Sequence, residues 1–310
     1  MDENSFVDYL KAAFPFRRGS GIGDDCSIVE IDSGFQLISK DILIEDVHFD
    51  ASFYTPEEIA VRALGVNLSD IAAMGGEPEY FYLGLGFPEG FRGEKLHRFF
   101  SALKQACDRW NIDLAGGDIS SSPASLFISV TMVGRSGNPV RRDGANAGDL
   151  IGISRGTGES AAGLELLKKG IDIPYFTKKH KDPEPEIEKG LVLSRYVNAM
   201  IDVSDGLMID LGRMLSASGK GGRIEYTAIP VSDDMKNVCR KHNLNETGLV
   251  LSGGEDFALL FAVSPENRKK LENTGTGFHI IGEVSEDRDV HAEYRGALLE
   301  LQKSGYDHFR

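Results

Sequence analysis

One polar stretch, RSGNPVRRDGANAGD at residues 135–149, divides the chain. So many turn-forming residues in a row can continue neither a strand nor a helix, and apolar periodicity resumes on both sides. A chain of 310 residues is long enough for two domains. The break places them at 1–137 and 138–310. Before it, Phe6, Tyr9, Leu10 and Ala13 predict a helix over 5–13, and CSIVEI and FQLISK predict strands. Thr55-Pro56-Glu57-Glu58 supplies an N-cap, a first-turn proline and a glutamate three residues after the cap, so a helix should run from there to about Met74. YFYLGLGF, the helix Glu94 to Arg109 and the strand LFISVTMVG follow. After the break, LIGIS leads to the helix SAAGLELLKK and to KKHKDPEPEIEKG, a charged, proline-containing loop expected at the surface. Helices over 187–198, 207–217 and 265–273 then alternate with strands over 222–226, 257–263 and 278–284. Both halves read as mixed α/β.

The 48 acidic residues exceed the 34 basic ones, a net charge of −14 that disfavours nucleic acid and anionic membranes as partners. The acidic N-terminus resembles no secretory signal, and no apolar run reaches membrane-spanning length, so a soluble, cytoplasmic protein is expected. Cys26, Cys107 and Cys239 are too far apart and too few for a disulfide framework, and Cys239 with His242 falls short of a zinc site. No GxxxxGK[ST] occurs. GISRG at 152–156 matches the GxSxG of a nucleophile elbow, but the helix begins several residues after Ser154, and a tight strand-to-helix connection accounts for it.

Carboxylates cluster where predicted elements end: Asp24 and Asp25 in GIGDDC, Asp41, Asp70, Asp118, and Asp202 with Asp205 in DVSDGL. Asp is common in turns and at N-caps for local reasons, so most of these residues say little singly. Asp70 is different. It shares a helix face with Ala63, Asn67 and Met74, a small or apolar stripe that turns the carboxylate inward. No basic residue follows Arg62 in the neighbouring turns, so a metal ion or a distant arginine must balance the charge. Oxygen ligands without thiolates favour a hard cation such as Mg²⁺, alongside phosphate oxygens.

Taken in order, GIGDDC, SKDIL, VHF, VNLSDIAAMGGEP, AGGDIS, DVSDGL, LSGGEDF and the terminal GYDHF resemble the thiamine-monophosphate kinases, from Gly21 to Phe309. The resemblance implies a two-domain α/β fold of the α+β type, like aminoimidazole ribonucleotide synthetase, and a homodimer whose N-terminal domains pair their sheets. It implies ATP-dependent phosphorylation of thiamine phosphate to thiamine diphosphate. Asp25, Ser39, Lys40, Asp41, Asp70, Asp118, Asp202 and Asp205 correspond to its Mg²⁺-binding positions. Gly117, Asp118, Arg142 and Ser204 correspond to nucleotide-binding positions, and His48, Glu255 and Phe309 to substrate-binding ones. Lys40 departs from the pattern, because the family usually has Thr there. A side-chain ligand would be lost, whereas a backbone ligand would survive. Ile119 also replaces a common Thr or Ser.

ATP and the acceptor phosphate would bring roughly six negative charges to these carboxylates, so several Mg²⁺ ions and Arg142 are expected to offset the repulsion. The acceptor phosphate oxygen is already anionic, so direct in-line attack needs no strong base. Asp70, Asp118 and Arg142 are the residues expected to act on the transferring group. Two rivals remain open. One is another ATP-dependent chemistry on the same scaffold, an amidine cyclo-ligase or a selenophosphate synthetase, although no cysteine precedes Cys26. The other is a non-enzymatic acidic protein that binds divalent ions.

Overall fold

The structure is a computed structural model describing residues 3–300; Phe309 and the terminal GYDHF lie outside the described residues. The first half comprises α1 (Glu3–Ala13), β1 (Gly19–Ser20), β2 (Ser27–Ile31), β3 (Gly34–Ile44), α2 (Pro56–Ala73), β4 (Glu77–Phe87), α3 (Glu94–Trp110), β5 (Asp113–Ser121) and β6 (Phe127–Ser136). The strands form one sheet in the order β1-β2-β3-β6-β4-β5, antiparallel except between β4 and β5. Leu37 and Leu43 of β3 and Ile128, Val130 and Met132 of β6 pack with Leu64, Leu68 and Ile71 of α2 and Phe99 of α3. Alternation along β3 puts Leu37, Ser39, Asp41 and Leu43 on this inner face and Lys40 and Ile42 on the other.

The start of α2 follows from its sequence. The Thr55 hydroxyl accepts from the Glu58 N–H, and the Glu58 carboxylate accepts from the Thr55 N–H at 2.8 Å. The helix ends where Gly75 turns left-handed (φ 64°), in contact with Ser194, which leaves no room for a side chain.

The second half comprises β7 (Leu150–Ile153), α4 (Glu159–Lys168), α5 (Pro174–Lys181), α6 (Ile187–Leu193), β8 (Ala199–Asp202), α7 (Leu207–Ala217), β9 (Gly221–Glu225), α8 (Asp233–His242), α9 (Glu246–Ser252), β10 (Leu259–Val263), α10 (Pro265–Glu272), β11 (His279–Ser285), β12 (Val290–Tyr294) and β13 (Ala297–Leu298). Its sheet runs β13-β12-β9-β11-β7-β10-β8. A third apolar cluster joins the halves, with Ala72 and Ala73 of α2 meeting Leu193, Met200 and Phe261. Glycines permit this close approach. A Cβ on Gly190 would lie 2.2 Å from the Ala72 carbonyl oxygen, and one on Gly65 would lie 2.8 Å from Pro183.

One expectation is corrected, and one strand is added. The segment KKHKDPEPEIEKG is not a surface loop: it finishes α5, buries His180 and Pro183 at the junction, and begins α6. DLAGGDISS is a strand, β5, at the sheet edge. A Cβ on Gly117 would sit 1.9 Å from the Leu83 carbonyl oxygen, so glycine lets β5 lie against β4.

Candidate active site

Four carboxylates converge from separate elements at the domain junction. Asp25 comes from the turn before β2, Asp41 from β3, Asp70 from α2, and Asp202 from the end of β8. Asp25, Asp70 and Asp202 each place an oxygen within 4.8 Å of the others. Asp41 and Asp70 share a hydrogen bond. Burial first, and then neighbouring carboxylates, push Asp70 and Asp202 well above the ordinary range. Asp41 is raised to about 6 by burial, against its bond to Asp70 and with a contribution from Asp25.

Neighbouring side chains orient this group. Ser69 Oγ donates to Asp202 at 2.5 Å, and the single Ser39 hydroxyl hydrogen can go to Asn67 Oδ1 at 3.0 Å or to Asp70, which it would lower. The pair Asp24 and Asp25 divides its roles. Asp25 enters the carboxylate group and accepts from Arg142 Nη2 at 2.6 Å. Asp24 accepts the Arg142 backbone N–H at 3.3 Å and the N–H of Asp25 at 3.2 Å, fixing the turn. Burial and the Asp25 charge raise Asp24 to about 6 despite Arg142.

The loop after β8 carries Ser204 and Asp205, and a residue with no motif of its own holds it. Buried Asp210, in the first turn of α7, accepts the backbone N–H groups of Ser204, Asp205 and Gly206 at 3.1, 2.9 and 3.1 Å. Arg213 donates to Asp210 at 2.8 Å and also to Asp205. The available sequence cue was an acidic residue in a first helical turn, which ordinary helix electrostatics already explains.

Two cavities of ≈ 500 Å³ meet here. One is walled by Asp41, Asp70 and Asp202, the other by Phe49, Phe53, Tyr54 and His180, and both are lined by His48, Ser204, Asp205 and Glu255. His48 Nδ1 accepts the Ile44 N–H at 3.0 Å, so in the neutral ring the proton sits on Nε2. Glu255 bonds to Arg62 and lies 3.0 Å from His180 Nδ1. Burial would raise its carboxyl, but Arg62 and His180 outweigh burial and hold it at about 2. A larger cavity of ≈ 770 Å³ between α2, α3 and α5 is remote from these carboxylates, and Glu57 with Arg98 and Glu58 with Lys181 pair their charges on its wall.

Other expected positions lie apart. The Lys40 side chain is directed elsewhere, which leaves only its backbone toward the acidic cavity: its ammonium projects from the other face of β3 and donates to Ser129 and, at 3.1 Å, to Thr131. Gly117 and Asp118 are exposed on β5. The register Asp118–Gly84–Ser129–Ile42 puts three strand spacings, about 14 Å, between Asp118 and β3. Ser154 is structural: its hydroxyl donates to Glu186 and accepts the Leu259 N–H at 2.8 Å.

The two α/β halves and the acidic cavity at their junction define a class, and the comparisons specify it. The family model of the AIR synthase related protein N-terminal domain matches residues 23–136, and that of the C-terminal domain matches 146–295. The thiamine-monophosphate kinase of Escherichia coli K12 is 36% identical over 303 residues, covering 93% of this chain and 91% of the relative. That of Aquifex aeolicus is 35% identical, covering 100% and 98%. The solved structure of AaThiL complexed with AMPPCP and TMP superimposes with a TM-score of 0.90 at 33% identity, covering 99% of this chain and 97% of that one. Hydrogenase maturation protein HypE, at 19% identity and a TM-score of 0.72, shares the fold. The chain belongs to the thiamine-monophosphate kinase branch of the AIR synthase related family.

Proposed function

We propose that this protein transfers the γ-phosphoryl group of ATP to thiamine monophosphate, giving thiamine diphosphate and ADP. The observation that carries the reading is the meeting of an acidic cavity and an aromatic one across His48, Ser204, Asp205 and Glu255. A triphosphate held on one side would face a ring-bearing phosphate monoester held on the other. Similarity to AaThiL, solved with AMPPCP and TMP, supports both substrates.

The carboxylates fit hard divalent ions. All their donors are oxygens, three lie within 4.8 Å of one another, and Asp25 Oδ2 is buried without a hydrogen-bond partner. Asp25, Asp41, Asp70 and Asp202 would hold several Mg²⁺ ions, with Ser39 and Asp205 at the margin; bound Mg²⁺ would offset phosphate charge and polarise the transferring group. Arg142, tied to Asp24 and Asp25, presents a fixed guanidinium beside them. Ser204 would meet nucleotide and His48 the acceptor, since both residues line both cavities. The attacking oxygen belongs to the acceptor phosphate. It forms the new P–O bond as the bond from the γ-phosphorus to the β,γ-bridging oxygen breaks, with no phosphoenzyme and no strong base.

We place the domain division at 137/138, between β6 and β7. A homodimer through the first sheet is supported by the open edge of β5, which exposes Leu114 and Ile119, and by the exposed Tyr82 and Phe127 on the outer face of the sheet. Gly117 and Asp118 lie on this edge, so pairing would bring them to the subunit boundary. No helix among the described residues is long and apolar enough to cross a membrane, and a cytoplasmic location fits the reading.

The test incubates protein, ATP, Mg²⁺ and thiamine monophosphate and separates the products. Thiamine diphosphate is expected to form stoichiometrically with ADP. No product above a folded Asp70→Ala control sinks the reading.

A further inference from the structure

The carboxylate of Glu255 is gripped by two residues that no motif singles out. Arg62 lies within α2 with its side chain only 2% exposed, which brings a permanent charge into the domain junction. It donates through Nη2 to Glu255 Oε1 and through Nη1 to the His180 carbonyl oxygen at 3.0 Å. Its guanidinium lies 5.8 Å from the centre of the Tyr54 ring. His180 is also buried, and its Nδ1 stands 3.0 Å from Glu255 Oε2. Each oxygen of Glu255 therefore meets one protein group, one from α2 in the first half and one from α5 in the second.

Glu255 is not sealed off by this grip. Its side chain is 30% exposed and lines both cavities, and a carboxylate oxygen with one donor can accept another. The backbone beneath it is unusual: φ is 67° at Glu255 and 49° at Phe257, left-handed for residues that are not glycine. Two hydrogen bonds hold it so, from the Glu255 N–H to the Ser204 carbonyl oxygen at 2.7 Å and from the Phe257 N–H to that of Val203 at 2.9 Å. The backbone sets where the side chain starts, and Arg62 and His180 set where it ends.

We propose that Arg62, assisted by His180, is a positioning residue that aims Glu255 at a hydrogen-bond donor on the acceptor's ring. The enzyme thereby selects a phosphomonoester bearing an amino-substituted heteroaromatic ring. With Arg62 matching its charge, Glu255 discriminates by the presence of a donor more than by attraction to a cation. A ring without the donor leaves the second acceptor site of a gripped carboxylate oxygen unfilled once the ring displaces water, which is how a polar pocket rejects an isostere. Phe49, Phe53 and Tyr54 supply the flat apolar wall beside it.

The inference rests on the kinase reading, and the experiment separates the two. KM for thiamine monophosphate, KM for ATP and kcat are measured for wild type, Arg62→Met, Arg62→Lys, Glu255→Gln and the double variant Arg62→Met/Glu255→Gln, together with use of an acceptor analogue lacking the ring amino group. Arg62→Met is expected to raise the acceptor KM about 10- to 100-fold, to leave kcat and the ATP KM within about 3-fold, and to lose preference over the deaminated analogue. Arg62→Lys should recover part of the loss, and the double variant should be no worse than the poorer single one. Should Arg62→Met fail to fold, Arg62→Lys with Glu255→Gln and their double completes the same cycle. Additive effects, an equal rise in the ATP KM, or retained preference over the analogue would overturn the inference while an active wild type leaves the kinase reading standing. An inactive wild type removes both.

Discussion

Two groups of buried charge share this cleft and are balanced in opposite ways. Around Asp70, the carboxylates of Asp25, Asp41 and Asp202 crowd together, while the nearby guanidiniums of Arg142 and Arg213 are committed to Asp24, Asp25, Asp205 and Asp210. Around Glu255, one carboxylate meets one guanidinium and an imidazole. The first group is pushed above the ordinary carboxylate range, and Glu255 is held below it. A balanced ionic group can orient a side chain without external help. An excess of buried negative charge opposes folding unless protons or cations arrive, which makes it a site for cations.

The sharpest way to break the contrast is Asp70→Asn. Turnover should fall about 1,000-fold or more, since one side chain serves the centre of the carboxylate group. The same change should raise the melting temperature of the metal-free protein, because Asp41 and Asp202 lose a like-charged neighbour. Assays and thermal melts with and without Mg²⁺ check both halves. A marked fall in the metal-free melting temperature would mean that Asp70 is compensated after all.

The pH dependence tests the same surplus without mutation. Asp24 and Asp41 rise from 3.8 to about 6 on folding. Between those values the folded chain binds more protons at these sites than the unfolded chain, so metal-free stability should decline as pH rises through the window and continue to fall above it, where Asp70 and Asp202, raised further, still hold protons. The expected decline is about 3 kcal/mol for each of the two groups, read from denaturant melts, and saturating Mg²⁺ should suppress it. Metal-free stability that instead rises from pH 4 to 6 would contradict a surplus.

Both groups draw side chains from both halves of the chain, so a wedge at the junction should disturb them together. Gly190→Ala would place a methyl group 2.2 Å from the Ala72 carbonyl oxygen. A loss of about 2 kcal/mol in stability is expected, with turnover reduced about 10-fold and both substrate KM values raised. A variant with only one KM altered would show that the two groups respond separately.

How far this contrast can be read from sequence depends on which contacts are local. The capping box at Thr55 and the inward face of Asp70 follow from helical spacing, and the acidic motifs advertise the surplus. The balancing charges were hidden. Arg62 reads as an ordinary helical arginine until Glu255, 193 residues away, is folded against it. His180 lies in a stretch whose lysines and prolines suggest solvent, but α5 carries it into the junction. β5 escaped for another reason: an exposed edge strand containing two glycines has no burial alternation to detect. Lys40 was resolved only by strand alternation, which separates it from Ser39 and Asp41.

That alternation predicts the smallest effect. Lys40→Thr restores the residue common in the family, but the position faces Ser129 and Thr131 across the sheet, away from the carboxylates. Its ammonium still lowers Asp41 through space, so its removal should raise Asp41 slightly and tighten Mg²⁺ by less than about 3-fold, as expected of a partly screened charge. Turnover at saturating Mg²⁺ should stay within about 2-fold, because no side-chain contact to the acidic group is gained or lost. Titrating Mg²⁺ against initial rate measures both quantities. A gain above about 10-fold in Mg²⁺ affinity would show that a threonine hydroxyl reaches the metals from this position, and that the outer face of β3 belongs to the site.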